Sequence, residues 1–97
     1  MLAQARSRIR RYTPDEARAD ADLLLVDTRS ADERERDGVI DGARHVPLSV
    51  LPWRADDLAG HRVCLVCAHG YSSSLAAALL VELGVDAGDL IGGYEAW

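Results

Sequence analysis

A chain of 97 residues has room for one compact domain and not for two. Hydrophobic residues make up 48% of it, which excludes a disordered chain, and with no Phe the core falls to Leu, Val, Ala and Ile. A net charge of −5 disfavours a nucleic-acid binder, and no apolar run approaches the roughly 20 residues that span a bilayer.

The first eleven residues form a basic arm, with Arg6, Arg8, Arg10 and Arg11 and no acid. Leu2, Ala5, Ile9 and Tyr12 fall near one helical face, a pattern compatible with a targeting segment or an anionic-surface anchor. The simpler expectation is a solvated turn or tail preceding a domain over residues 12–97. No secretory apolar segment is present, so the expected location is cytoplasmic.

Thr13-Pro14-Asp15-Glu16 is a capping box with Pro at the first helical position, and predicts a short helix to about Ala21. Leu23 to Val26 is a continuous apolar run, the mark of a strand covered on both faces, and it ends in Asp27-Thr28-Arg29. Ser30-Ala31-Asp32-Glu33 is a second capping box, opening a charged helix that Gly38 ends. Arg44-His45-Val46 predicts a short strand stopped by Pro47. Residues 49–60 read as irregular or briefly helical, with Trp53 as an anchor. Arg62 to Val66 predicts a buried strand. Ser73 to Leu83 predicts a helix with Leu75, Leu79 and Leu83 on one stripe and Gly84 as its C-terminal cap. Asp89-Leu90-Ile91 predicts a last strand, followed by Gly92-Gly93 and the start of another helix at Tyr94. Strands that alternate with helices predict an α/β fold: a small parallel sheet with helices on both faces.

Cys64 and Cys67 are spaced as C-x-x-C. Residues three apart on a strand lie roughly 10 Å apart and point to opposite faces, which is beyond disulfide reach. No second cysteine or histidine pair completes a zinc site. Cys64 reads as a core residue. Cys67 lies past the strand, at the carboxyl edge where parallel sheets bind ligands. The loop Cys67-Ala68-His69-Gly70-Tyr71-Ser72-Ser73 then leads into a helix. Backbone N–H groups of such a loop, with the positive end of the helix, form an anion cradle that favours a thiolate. Gly70 permits the tight curl, and small Ala68 keeps the sulfur accessible.

Four segments in order resemble the rhodanese family of sulfurtransferases. They are Leu25-Val26-Asp27-Thr28-Arg29, Gly38 through Pro47, Val66 through Ser73, and Gly92 through Trp97. The resemblance covers nearly the whole chain from Tyr12. It implies that Cys67 takes a sulfane sulfur from a small donor, forms a persulfide, and passes the sulfur to a thiol or cyanide. The loop residues Ala68, His69, Gly70, Tyr71, Ser72 and Ser73 would hold the substrate. It implies no cofactor or metal, and it names no partner protein.

The loop departs from the family pattern at Ser72, where Arg is usual. A guanidinium offers full charge and a fork of donors to an anionic donor such as thiosulfate, and Ser72 offers one hydroxyl. Ser73 likewise stands where related phosphatases carry Arg, which disfavours phosphoryl transfer. The rival to a sulfurtransferase is a catalytically weak binding or regulatory module on the same fold. Accumulation of persulfide on Cys67 distinguishes the two.

Overall fold

The computed structural model describes all of residues 1–97. Five parallel strands form one sheet: β1 (Arg10–Tyr12), β2 (Leu23–Asp27), β3 (Arg44–His45), β4 (Arg62–Val66) and β5 (Asp86–Leu90). Their spatial order is β1-β5-β4-β2-β3, so the two longest apolar runs, β2 and β4, lie side by side in the interior. Successive side chains on a strand point to opposite faces, and the core accordingly divides in two. Val26, Val63, Leu65 and Ala87 pack on one side, and Leu23, Cys64, Val66 and Leu90 on the other.

The helices are α1 (Leu2–Ser7), α2 (Pro14–Ala19), α3 (Ala31–Asp37), α4 (Ala55–Leu58) and α5 (Ser72–Glu82). Both expected capping boxes are formed, by Thr13 with Glu16 and by Ser30 with Glu33. Gly38 ends α3 with φ 99°. Residues 48–54 make 3-10 turns that run into α4. The first face of the sheet is covered by α5 with Leu51 and Leu58, and the second by Ala17 of α2 with Ile40 and Tyr94.

Five expectations need correction. The basic arm is a folded part of the domain and not a tail: α1 packs on α5, and β1 pairs with β5 at the sheet edge. Trp53 is 84% exposed and anchors nothing. The stripe Leu75, Leu79 and Leu83 lies outward, while Ser73, Ser74, Ala76, Ala77 and Leu80 are buried. This helix is apolar almost all round, so periodicity does not say which face meets the sheet. In place of the helix start at Tyr94 stands a single 3-10 turn, Gly93–Ala96, and β5 begins three residues earlier than expected.

Candidate active site

All strands run in one direction, so β1, β2, β4 and β5 end at a common edge. Cys67 follows β4 there, and its loop feeds into α5. The loop curls around the sulfur. The Gly70 amide donates to Cys67 Sγ at 3.1 Å and the Ser73 amide at 3.4 Å. Ser73 Oγ stands 3.2 Å from the same sulfur. Burial opposes ionisation of Cys67. The hydroxyls of Ser73 and Ser72 and the two amides outweigh it and hold the thiol below its ordinary value. Cys64 lacks such donors: burial, with Asp89 nearby, pushes its thiol up to about 12. Both cysteines are free.

Two glycines make this curl possible. Gly70 has φ 84°, and a Cβ there would meet Gly92 N at 2.8 Å. Gly93 has φ 66°, and a Cβ there would meet Cys67 O at 2.4 Å. The turn 92–97 therefore lies backbone to backbone beneath the loop. Tyr94 N donates to Cys67 O at 2.7 Å and Glu95 N to Ala68 O at 3.1 Å. These bonds turn the loop carbonyls away from the sulfur and leave its amides for the anion.

The strand-end pair Asp27 and Arg29 supports the turn from below. Arg29 forks onto Asp27, with Nε at 3.0 Å from Oδ1 and Nη2 at 2.8 Å from Oδ2. Nη2 also donates to Gly38 O at 2.8 Å. Its guanidinium lies 3.8 Å from the centroid of the Tyr94 ring. Both Asp27 and Arg29 are buried. Arg29 thus ties the end of β2, the end of α3 and the turn 92–97 together.

A pocket of about 640 Å³ opens over the loop, bordered by Cys67, Ala68, His69, Tyr71 and Ser72 and by Thr28 to Ser30 across from it. The structure brings the sequence-derived residues together unequally. Gly70 and Ser73 bond the sulfur, and Ala68 and Ser72 border the pocket. Tyr71 is largely exposed, and His69 is bound outward to Glu95 Oε2 at 2.9 Å.

Sequence reasoning missed the layer behind the loop. Asp89 of β5 is fully buried and accepts from Ser73 Oγ at 2.8 Å, from Ser74 Oγ at 2.7 Å and from Arg11 Nε at 2.8 Å. Arg6 donates to Gly70 O at 2.9 Å and to Ser74 Oγ at 3.1 Å. The carboxylate of Asp89, buried within β5, calls for a cationic partner.

A strand-end cysteine with two backbone amides on its sulfur, at the head of a helix, is an arrangement that can hold a thiolate and, on it, a group transferred at sulfur. The comparisons give the family. Residues 13–97 match the model of the rhodanese-like domain. Thiosulfate sulfurtransferase GlpE of Stutzerimonas stutzeri is 38% identical over 93 residues, covering 91% of this chain and 84% of that protein. Among solved structures, a Rhodopseudomonas palustris protein of unknown function, described as a possible tyrosine phosphatase, aligns with a TM-score of 0.88. It is 28% identical, over 99% of this chain and 84% of that one. A rhodanese-like domain protein of Staphylococcus aureus aligns with a TM-score of 0.83 at 26% identity, over 92% of this chain and 91% of that one. The chain belongs to the rhodanese-like domain family.

Proposed function

We propose that this protein is a sulfurtransferase that moves a sulfane sulfur through a persulfide on Cys67. The observation that carries the reading is the sulfur of Cys67, ringed by the Gly70 and Ser73 amides at the floor of an open pocket. With thiosulfate, the Cys67 thiolate attacks the outer sulfur, the S–S bond of the donor breaks, and sulfite leaves with the electron pair. A thiolate or cyanide then attacks the outer sulfur of the persulfide, and Cys67 departs as the thiolate. Sulfur keeps a negative charge throughout, and fixed amides meet that charge without reorganising. The similarity to a thiosulfate sulfurtransferase supports thiosulfate as one donor. A free nucleophilic thiol and thiol acceptors both suit the reducing cytoplasm, where we place the protein. Phosphoryl transfer is disfavoured, because Ser72 and Ser73 supply no guanidinium to clamp a phosphoryl group.

The test is thiocyanate formation from thiosulfate and cyanide, compared with formation from a small alkyl persulfide. Ser72 borders the pocket with a hydroxyl where a full charge would serve a dianion better. The native protein is expected to use thiosulfate less efficiently than the less charged donor. Ser72→Arg should raise kcat/KM for thiosulfate by about one to two powers of ten, the scale of one charge-assisted contact, with little change for the alkyl persulfide. A folded Ser72→Arg variant with unchanged thiosulfate kinetics refutes the role given to this position. Absence of Cys67-dependent thiocyanate formation with every donor refutes the proposed activity.

A further inference from the structure

The Ser73 hydroxyl has one proton and two acceptors within reach. Its oxygen is 3.2 Å from Cys67 Sγ and 2.8 Å from Asp89 Oδ2. Asp89 is fully buried, and a carboxylate in such a place is costly unless paired and hydrogen-bonded. Arg11 supplies the pair, through Nε to Oδ1 at 2.8 Å and Nη2 to Oδ2 at 3.3 Å. Ser74 Oγ supplies a second hydroxyl at 2.7 Å.

We infer that Asp89, held by Arg11 and Ser74, is a positioning residue that decides when the Ser73 hydroxyl is given to the sulfur of Cys67. While Cys67 is a thiol, its S–H donates to Ser73 Oγ and the Ser73 O–H points at Asp89. When the thiol loses its proton to water in the pocket, the Ser73 O–H turns onto the sulfur. Asp89 keeps Ser74 and Arg11, so the turn leaves no buried carboxylate without partners. Charged groups surround the loop from several elements, Glu95 among them through its bond to His69. Asp89 comes from β5, Arg11 from β1 and Arg6 from α1, while Arg29, Glu33 and His69 border the outer pocket. Of these, Asp89 alone shares a hydroxyl proton with the sulfur. It competes for that proton and, as an anion, opposes a second negative charge beside it. It therefore restrains ionisation of Cys67, and the strength of the restraint depends on how well Ser74 and Arg11 satisfy it.

The inference rests on Cys67 being the reactive thiol of the proposed sulfurtransferase, but its test needs no sulfur donor. Alkylation of Cys67 by iodoacetamide is followed across pH by mass in the full-length chain. The readout is the midpoint of the profile, because a thiolate loses nucleophilicity as its pKa falls and a rate at one pH mixes the two effects. Asp89→Asn removes the charge and keeps the shape. It should lower the midpoint by about one pH unit, a tenfold gain in thiolate fraction on the acid side. In a Ser73→Ala background the same substitution should move it clearly less, since the shared proton is gone. Ser74→Ala should act in the opposite sense and raise the midpoint, because Asp89 then holds Ser73 harder. An unchanged Asp89→Asn midpoint, or an equal shift in both backgrounds, overturns the inference. Should Asp89→Asn fail to fold, Ser74→Ala decides alone, and an unchanged or lowered midpoint overturns it. Shifted midpoints in a chain that never accepts sulfur would leave this inference standing and remove the proposed activity.

Discussion

Cys67→Ser is expected to abolish sulfur loading and transfer outright, while Cys64→Ala retains both. The two thiols are three residues apart and chemically opposite. Cys67 has two amides and a hydroxyl on its sulfur and is held below its ordinary value. Cys64 is fully buried in β4 with its thiol pushed up to about 12, so at neutral pH it supplies essentially no thiolate. A hydroxyl at position 67 could bind the loop amides but not attack sulfur. Cys64→Ala should cost stability on the scale of about 1 kcal/mol for a small core cavity, without changing the chemistry. Thiocyanate formation by both purified variants checks the pair. Loss of turnover in a folded Cys64→Ala variant would contradict the assignment of the sulfur carrier to Cys67.

Arg29→Met is expected to destabilise the fold by about 3–5 kcal/mol, a large share of the roughly 5–15 kcal/mol that holds a domain together. Asp27 and Arg29 are both almost inaccessible, and removing the guanidinium leaves a buried carboxylate with the backbone N–H of residue 29 at 3.1 Å and, as its one cationic partner, the partly exposed Arg34 at 3.2 Å. Urea unfolding at pH 7 measures the loss. The pH dependence has a definite sign. Burial pushes the Asp27 carboxyl up, but the hydrogen bonds and charge of Arg29 outweigh it and hold the carboxyl below its ordinary value. A depressed folded-state pKa stabilises the native protein above the unfolded value near 3.9, and the contribution disappears as pH falls below it. In Arg29→Met burial prevails, so the acid unfolding midpoint should move upward. Transfer should slow as well, because Arg29 carries the Tyr94 ring and hence the turn beneath the Cys67 loop.

The parts of this protein that local chemistry decides were legible in the sequence. The two capping boxes fixed the starts of α2 and α3, and the apolar runs marked β2 and β4. Position at a strand end separated Cys67 from Cys64. What could not be read depends on residues far apart in the chain. Arg11 meets Asp89 and Arg6 meets Gly70 across more than sixty residues, and nothing local to the arm distinguishes a tail from an edge strand. The reason for Gly93 was hidden in the same way, since it lies in how closely its turn approaches the Cys67 loop. For α5, Ala and Leu on every side left the buried face to be chosen by the sheet and α1.

A sulfur carrier at Cys67 must take up one sulfur and give it up. The most direct measurement is the intact mass of the protein through one cycle. The chain is loaded with donor, freed of excess, and then exposed to a small thiol. The expected result is a gain of one sulfur atom, located by peptide mapping on Cys67, and its complete loss on addition of the thiol, with the acceptor persulfide formed in equal amount. A chain that gains no sulfur from thiosulfate, mercaptopyruvate or an alkyl persulfide, or that holds the added sulfur on Cys64, would contradict it.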